Sequence, residues 1–217
     1  MMFRPLILAA TLGSVLSATA AHAQTDAADT GYVHVGLARV DQKDEATLYA
    51  GGNPVPNAGY ETQKKVTAAI EAGFFVYEGA AIAVGAVLPA ETPNIASGSL
   101  DGLGNLGDEK PGFLTATAQY HFNRNGTVSP YVGAGISYLY FADLDDGVVT
   151  DLDIDNSWGT ALQAGADIRV SGRWSLFVDA KKLFIDTNAS GFLGGAPITA
   201  DAEVDPWILS AGVGFRF

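Results

Sequence analysis

The chain has 217 residues, no cysteine and a formal net charge of −12. Those values exclude a disulfide scaffold, thiolate or redox-cysteine chemistry, and a nucleic-acid partner, because phosphate binding needs clustered Lys and Arg. Charged residues make up 17% of the chain, below the roughly 25% of soluble domains.

The chain opens with Arg4, an apolar run over 6–16, and Ala21-His22-Ala23. A positive start, a short greasy stretch and an A-x-A site read as a secretory leader over 1–23, leaving 24–217 as the exported domain. The greasy run is too short for the ~20 residues of a spanning helix, and nothing later approaches that length. A membrane-spanning reading therefore requires a closed barrel.

Eight segments then show a two-residue apolar period: 32–40, 64–76, 80–88, 113–122, 130–141, 157–169, 174–185 and 207–217. Each has about the 9–11 residues of a tilted membrane strand. The connections alternate: 41–63, 89–112, 142–156 and 186–205 are long and polar, whereas 77–79, 123–127 and 170–173 are short. Asn123-Arg124-Asn125-Gly126 and Ser171-Gly172-Arg173 supply turn chemistry. The expected fold is all-β, an eight-stranded antiparallel transmembrane barrel with short periplasmic turns and long extracellular loops. An even strand number brings the ends together and removes exposed edges.

Alternation alone does not say which face points outward; a secreted lipocalin-like barrel would put the greasy face inside. Three features favour the membrane. Aromatics cluster at both ends of the greasy face: Tyr120, Phe122, Trp174, Phe215 and Phe217 toward the turns, and Tyr138, Tyr140, Trp158 and Trp207 toward the loops. The opposite face carries Gly133, Gly135, Gly159, Gly165, Gly212 and Gly214, which suit a narrow lumen. Finally, Phe215 and Phe217 close the last strand and look like the insertion signal read by the barrel-assembly machinery.

With the segments in place, the chain resembles the OmpW/AlkL family of small outer-membrane barrels. The resemblance is carried by Ala118-Gln119-Tyr120-His121-Phe122, Pro130-Tyr131-Val132-Gly133-Ala134-Gly135, Ser157-Trp158-Gly159, Trp174-Ser175-Leu176 with Asp179, and Asp205-Pro206-Trp207 running to Phe215-Arg216-Phe217. Where members often carry a His-Leu-Pro-Pro-type run, this chain has Asp108-Glu109-Lys110-Pro111. The resemblance implies a barrel in the Gram-negative outer membrane, in contact with its lipid and lipopolysaccharide, that passes small hydrophobic solutes.

The residues themselves divide the lumen by height. Val87, Phe113, Leu139, Phe141, Leu183, Ile185 and Ile208 face inward near the loop end. His34, Glu71, Gln119, His121, Asp167, Arg169, Asp179, Lys181 and Arg216 face inward below them. Buried acids and bases must pair, so the lower set reads as a polar plug, with a polar pore filter as the alternative. The upper set reads as a hydrophobic vestibule, with mutual packing as the alternative. Together they predict entry of an apolar solute from outside, a blocked path to the periplasm and sideways exit into lipid. The competing functions are a structural or stress-related barrel, a bacteriocin or phage receptor, and a narrow pore for small polar or cationic solutes.

Of the 24 acidic residues, 18 lie in the long connections. Asp151, Asp153 and Asp155 echo the start of an EF-hand, but Asn156 holds the glycine position and Leu162 the final glutamate position. The acidic loops read as solvation, with divalent-cation binding by the third loop as the alternative, and no metal site or cofactor is expected. Nor is an enzyme: with His22 in the leader, only His34 and His121 remain, both toward the turn end and away from any loop nucleophile.

Overall fold

The computed structural model describes residues 29–43 and 45–217; the expected leader lies outside them. Fifteen strands follow in order: β1 (Gly31–Asp41), β2 (Glu45–Ala50), β3 (Asn53–Pro54), β4 (Ala58–Thr62), β5 (Lys65–Tyr77), β6 (Ala80–Val87), β7 (Thr92–Gly98), β8 (Asn105–His121), β9 (Val128–Asp146), β10 (Val149–Ile154), β11 (Ser157–Ser171), β12 (Trp174–Phe184), β13 (Asp186–Leu193), β14 (Ala196–Glu203) and β15 (Trp207–Arg216). Eight of them form a closed antiparallel wall in the order β1-β5-β6-β8-β9-β11-β12-β15, with β15 returning to β1. These eight carry the eight alternating segments to within one residue at either end. Closure is sealed at the chain end, where Phe217 N donates to Gly31 O at 3.0 Å and Gly31 N donates to Phe217 O at 3.0 Å.

Period-two alternation makes the wall two-faced. Val35, Leu37, Val66, Ile82, Val84, Leu176, Val178 and Leu209 are exposed on the outside, each by 45% or more. So much exposed apolar surface marks a lipid-facing belt. Its lower rim joins Tyr120 to Phe122 and Trp174 to Phe215, each at 5.0 Å between ring centroids, and its upper rim joins Tyr138 to Trp158 at 4.7 Å. Inside, Gly36 faces Gly212 across the β1–β15 ladder. A Cβ on Gly36 would lie 2.2 Å from Ala211 O, so the wall has no room for any side chain there. On the short side, Gly172 at φ 54° turns β11 into β12, and Asn123 at φ 50° begins the β8–β9 turn.

The long connections are not irregular. Seven shorter strands continue the barrel upward as a collar, in two parts. One is a five-stranded sheet, β10-β13-β14-β2-β3; the other extends β8 and β9 and adds β7 and β4. No strand pairing joins β9 to β10 or β2 to β4 among the described residues, so the collar has two seams. The collar forms because its polar connections hide a local alternation. On β14, Ile198 is buried and Ala200 and Ala202 are half-buried, whereas Thr199, Asp201 and Glu203 are exposed. The acids face water, and the apolar residues between them face the interior of the collar.

Candidate functional site

The lumen is layered. At the turn end lies a buried polar network. Lys181 Nζ sits 3.0 Å from Glu71 Oε2 and 2.7 Å from Asp179 Oδ1. Gln163 Nε2 donates to Glu71 Oε2 at 3.0 Å and to Asp179 Oδ2 at 2.7 Å. Gln119 Nε2 donates to Glu71 Oε1 at 3.2 Å, and the Tyr131 hydroxyl donates to Asp179 Oδ2 at 2.9 Å. A second centre forms around Asp167. Its carboxylate lies 2.8 Å from His34 Nε2 and accepts from Arg216 Nη2 at 3.0 Å. His34 stacks on Phe177 at 4.3 Å, and His121 stacks on Tyr131 at 4.7 Å. These groups reach across the narrow lumen from opposite walls and leave a gap of about 20 Å³ beside His34, Glu71, Asp179 and Lys181.

Eight of the nine polar residues expected in the lumen meet in this network. Arg169 does not: it reaches the turn-side rim and pairs with Asp29 at 3.6 Å, because its position near the end of β11 lies below Asp167. Sequence reasoning missed Tyr32, whose hydroxyl joins Glu71 to Gln119, and missed Gln163, which links the two carboxylates flanking Lys181. Both could have been found by extending the inward parity of their strands.

Above the network lies an apolar layer. Val87, Phe113, Leu139, Leu183, Ile185 and Ile208 pack into one cluster with Ala38, Ala161 and Val204. Leu139, Leu183 and Ile208 are 0% exposed. Six of the seven residues expected to line a vestibule therefore pack against each other and form its floor. Phe141, packed on the edge of that cluster, faces the open space above.

That space is a cavity of about 120 Å³ inside the collar, between the five-stranded sheet and the β4-β7-β8-β9 extension. Leu48, Leu106, Phe141, Leu152, Ile154 and Ile198 contribute its apolar lining; Asn94, Glu109 and Thr187 are among its few polar residues. Val204 belongs to both cavity and floor. The cavity lies in connections that the sequence presents as polar. The missed signal was the short alternation Leu152-Ile154 and Ile198-Ala200-Ala202-Val204.

A barrel with a lipid-facing belt, a polar network across the lower lumen and an apolar chamber on the long-connection side can be compared with known proteins. The model of the OmpW family matches residues 29–217. The chain belongs to the OmpW family. Outer membrane protein AlkL of Ectopseudomonas oleovorans is 30% identical over 170 residues, covering 78% of this chain and 74% of the relative. Dibenzothiophene metabolism operon protein PahQ of Pseudomonas aeruginosa is 28% identical, covering 84% of this chain and 86% of the relative. Among solved structures, OprG from Pseudomonas aeruginosa shares the fold with a TM-score of 0.81 at 24% identity, covering 88% of this chain and 96% of OprG. The structure of AlkL in lipid bilayers matches with a TM-score of 0.70 at 27% identity, covering 91% of this chain and 94% of AlkL. This OmpW-family chain is thus an outer-membrane barrel and not an enzyme.

Two further features of the OmpW-family barrel bear on the chamber. A slot of about 20 Å³ opens where β6 stops at Val87, lined by Val40, Lys65, Leu88, Pro111 and Phe113 with several polar neighbours. Gln42 lines both slot and chamber. Around the rim, acids are held by local partners. Lys110 Nζ donates to Asp143 Oδ2 at 2.8 Å; this bond raises the Lys110 ammonium and lowers the Asp143 carboxyl relative to their ordinary values. Glu203, bonded to Lys43 at 2.8 Å, is likewise lowered. Asp151 and Asp153 lie on β10, and no group of three metal-ligating side chains converges among the described residues.

Proposed function

We propose that this barrel is a passive outer-membrane channel for small hydrophobic molecules. The observation that carries the reading is the chamber: an apolar space of about 120 Å³ above a packed apolar floor. An engineered apolar cavity of roughly 150 Å³ in another protein takes up benzene, which sets the scale of the guest. A small apolar solute leaves the external water, enters the collar and rests on the floor formed by Leu139, Leu183 and Ile208. The polar network beneath disfavours descent to the periplasm, since an apolar guest cannot replace the bonds it would break. The solute leaves sideways through the slot above Val87, where Pro111 supplies no N–H to the wall and the β8–β9 register shifts between Glu109 and Pro111. Lipid and lipopolysaccharide surround the outer belt, and Phe215 and Phe217 serve as the signal to the assembly machinery.

AlkL and PahQ support the reading as relatives, PahQ being named for an operon of dibenzothiophene metabolism. The test is uptake of a labelled alkylbenzene and a size-matched sugar by cells with and without the protein. Selective acceleration of the alkylbenzene is expected, and Ile198→Asp in the chamber abolishes it. Equal acceleration of both solutes would show an open polar lumen and refute the proposal. No acceleration of either would move the protein to a structural or receptor role.

A further inference from the structure

Lys64 lies just before β5 and Lys65 opens it, and the two side chains go opposite ways. Lys64 points outward and meets Asp41 at 2.9 Å. Lys65 pairs in register with Val40 and lines the slot, partly buried. The other cations of the collar and upper wall have partners: Arg39 with Asp41, Lys43 with Glu203, Lys110 with Asp143, and Lys182 with Asp205 O. Lys65 has no ion pair or hydrogen bond among the described residues. This is notable in a chain whose acids outnumber its bases 24 to 12. An ammonium held partly out of water beside apolar walls is unfavourable unless an anion meets it.

We propose that the slot binds the carboxylate of a small amphipathic acid, with Lys65 as counter-ion. The slot fits one such head: its volume of about 20 Å³ compares with the roughly 10–15 Å³ that one water needs on this scale. The side-chain amides of Gln42 and Gln63 border it and can donate to the same oxygens. Val40, Leu88 and Phe113 receive the first carbons of the tail. A bare anion would be repelled by the acidic collar, so the apolar tail supplies the affinity and Lys65 supplies the preference. The slot is continuous with the chamber through Gln42, so Lys65 stands at the sideways exit, and the inference rests on that exit being used. The channel then carries short fatty or aryl carboxylates as well as neutral apolar molecules.

The experiment measures uptake of labelled octanoate and labelled 1-octanol by cells bearing the full chain, its Lys65→Gln and Lys65→Arg variants, or no barrel. The expected result is a fall of about tenfold in the ratio of protein-dependent octanoate to octanol uptake for Lys65→Gln, the size of one charge-assisted contact. Lys65→Arg keeps octanoate uptake. Loss of both solutes alike in Lys65→Gln would mean a damaged wall and overturn the site, as would unchanged octanoate uptake. If the wild-type barrel accelerates octanoate in a Lys65-dependent way but leaves octanol alone, the anion site stands and the channel for neutral molecules falls.

Discussion

Replacing Lys181 with Met tests whether the lower lumen is a dry plug. Met keeps most of the side-chain length and removes the charge, leaving Glu71 and Asp179, 6% and 7% exposed, without their shared cation. Removing one partner of a buried charge pair costs ~3–5 kcal/mol. The lower end applies here, because Glu71 keeps donors from Tyr32, Gln119 and Gln163, and Asp179 keeps Tyr131 and Gln163. A loss of about 3 kcal/mol is therefore expected in urea unfolding from lipid bilayers, read by the gel mobility of folded and unfolded chain. The neutral triple variant Glu71→Gln, Asp179→Asn, Lys181→Met recovers most of it, since buried charges are replaceable by uncharged groups that pack. A loss below about 1 kcal/mol for Lys181→Met would mean that both carboxylates are hydrated and the lumen is wet, refuting the plug.

Two more predictions follow from other layers. Leu183→Ala, at a floor position with 0% exposure, costs ~2–5 kcal/mol in the same unfolding assay, and a cost below about 1 kcal/mol would show that the floor is not packed. Asp146 accepts from Asp151 N and Leu152 N at 3.0 Å each, which lowers its carboxyl below the ordinary value. The stabilisation is present above the ordinary Asp value of ~3.9 and is lost as pH falls through the lowered one. In a nuclear magnetic resonance titration the Asp151 and Leu152 amides hold position down to about pH 4 and shift below it; movement between about pH 6 and 5 would contradict the bond.

The barrel was legible in the sequence because a lipid-facing strand must repeat every two residues over its full length. Parity puts Val66, Ala68 and Ile70 on one face; the aromatic rims turn that face toward lipid, and Arg216 and Asp167 then fall inward. Parity could not distinguish lining from packing. Leu139 and Leu183 point inward whether they border a space or fill it, and the barrel is narrow enough that they fill it. Height was also hidden: Arg169 has inward parity but sits two residues beyond Asp167, enough to reach the rim and Asp29. The chamber was hardest to see, because Ile198, Ala200 and Ala202 alternate with Thr199, Asp201 and Glu203 over too few residues to outweigh the acidic composition around them.

The two seams of the collar change what it costs the protein to deform. Parting any two neighbours of the closed wall breaks a ladder of backbone hydrogen bonds, each worth about 1 kcal/mol, in a lipid that offers no replacement. Parting β9 from β10, or β2 from β4, breaks no ladder. Mechanically, the molecule is a stiff ring carrying two jaws. A guest bulkier than the resting chamber is accommodated by spreading the jaws against side-chain packing and a few local bonds, such as those from Asp151 N and Leu152 N to Asp146, while the ring that anchors them in the membrane keeps its shape.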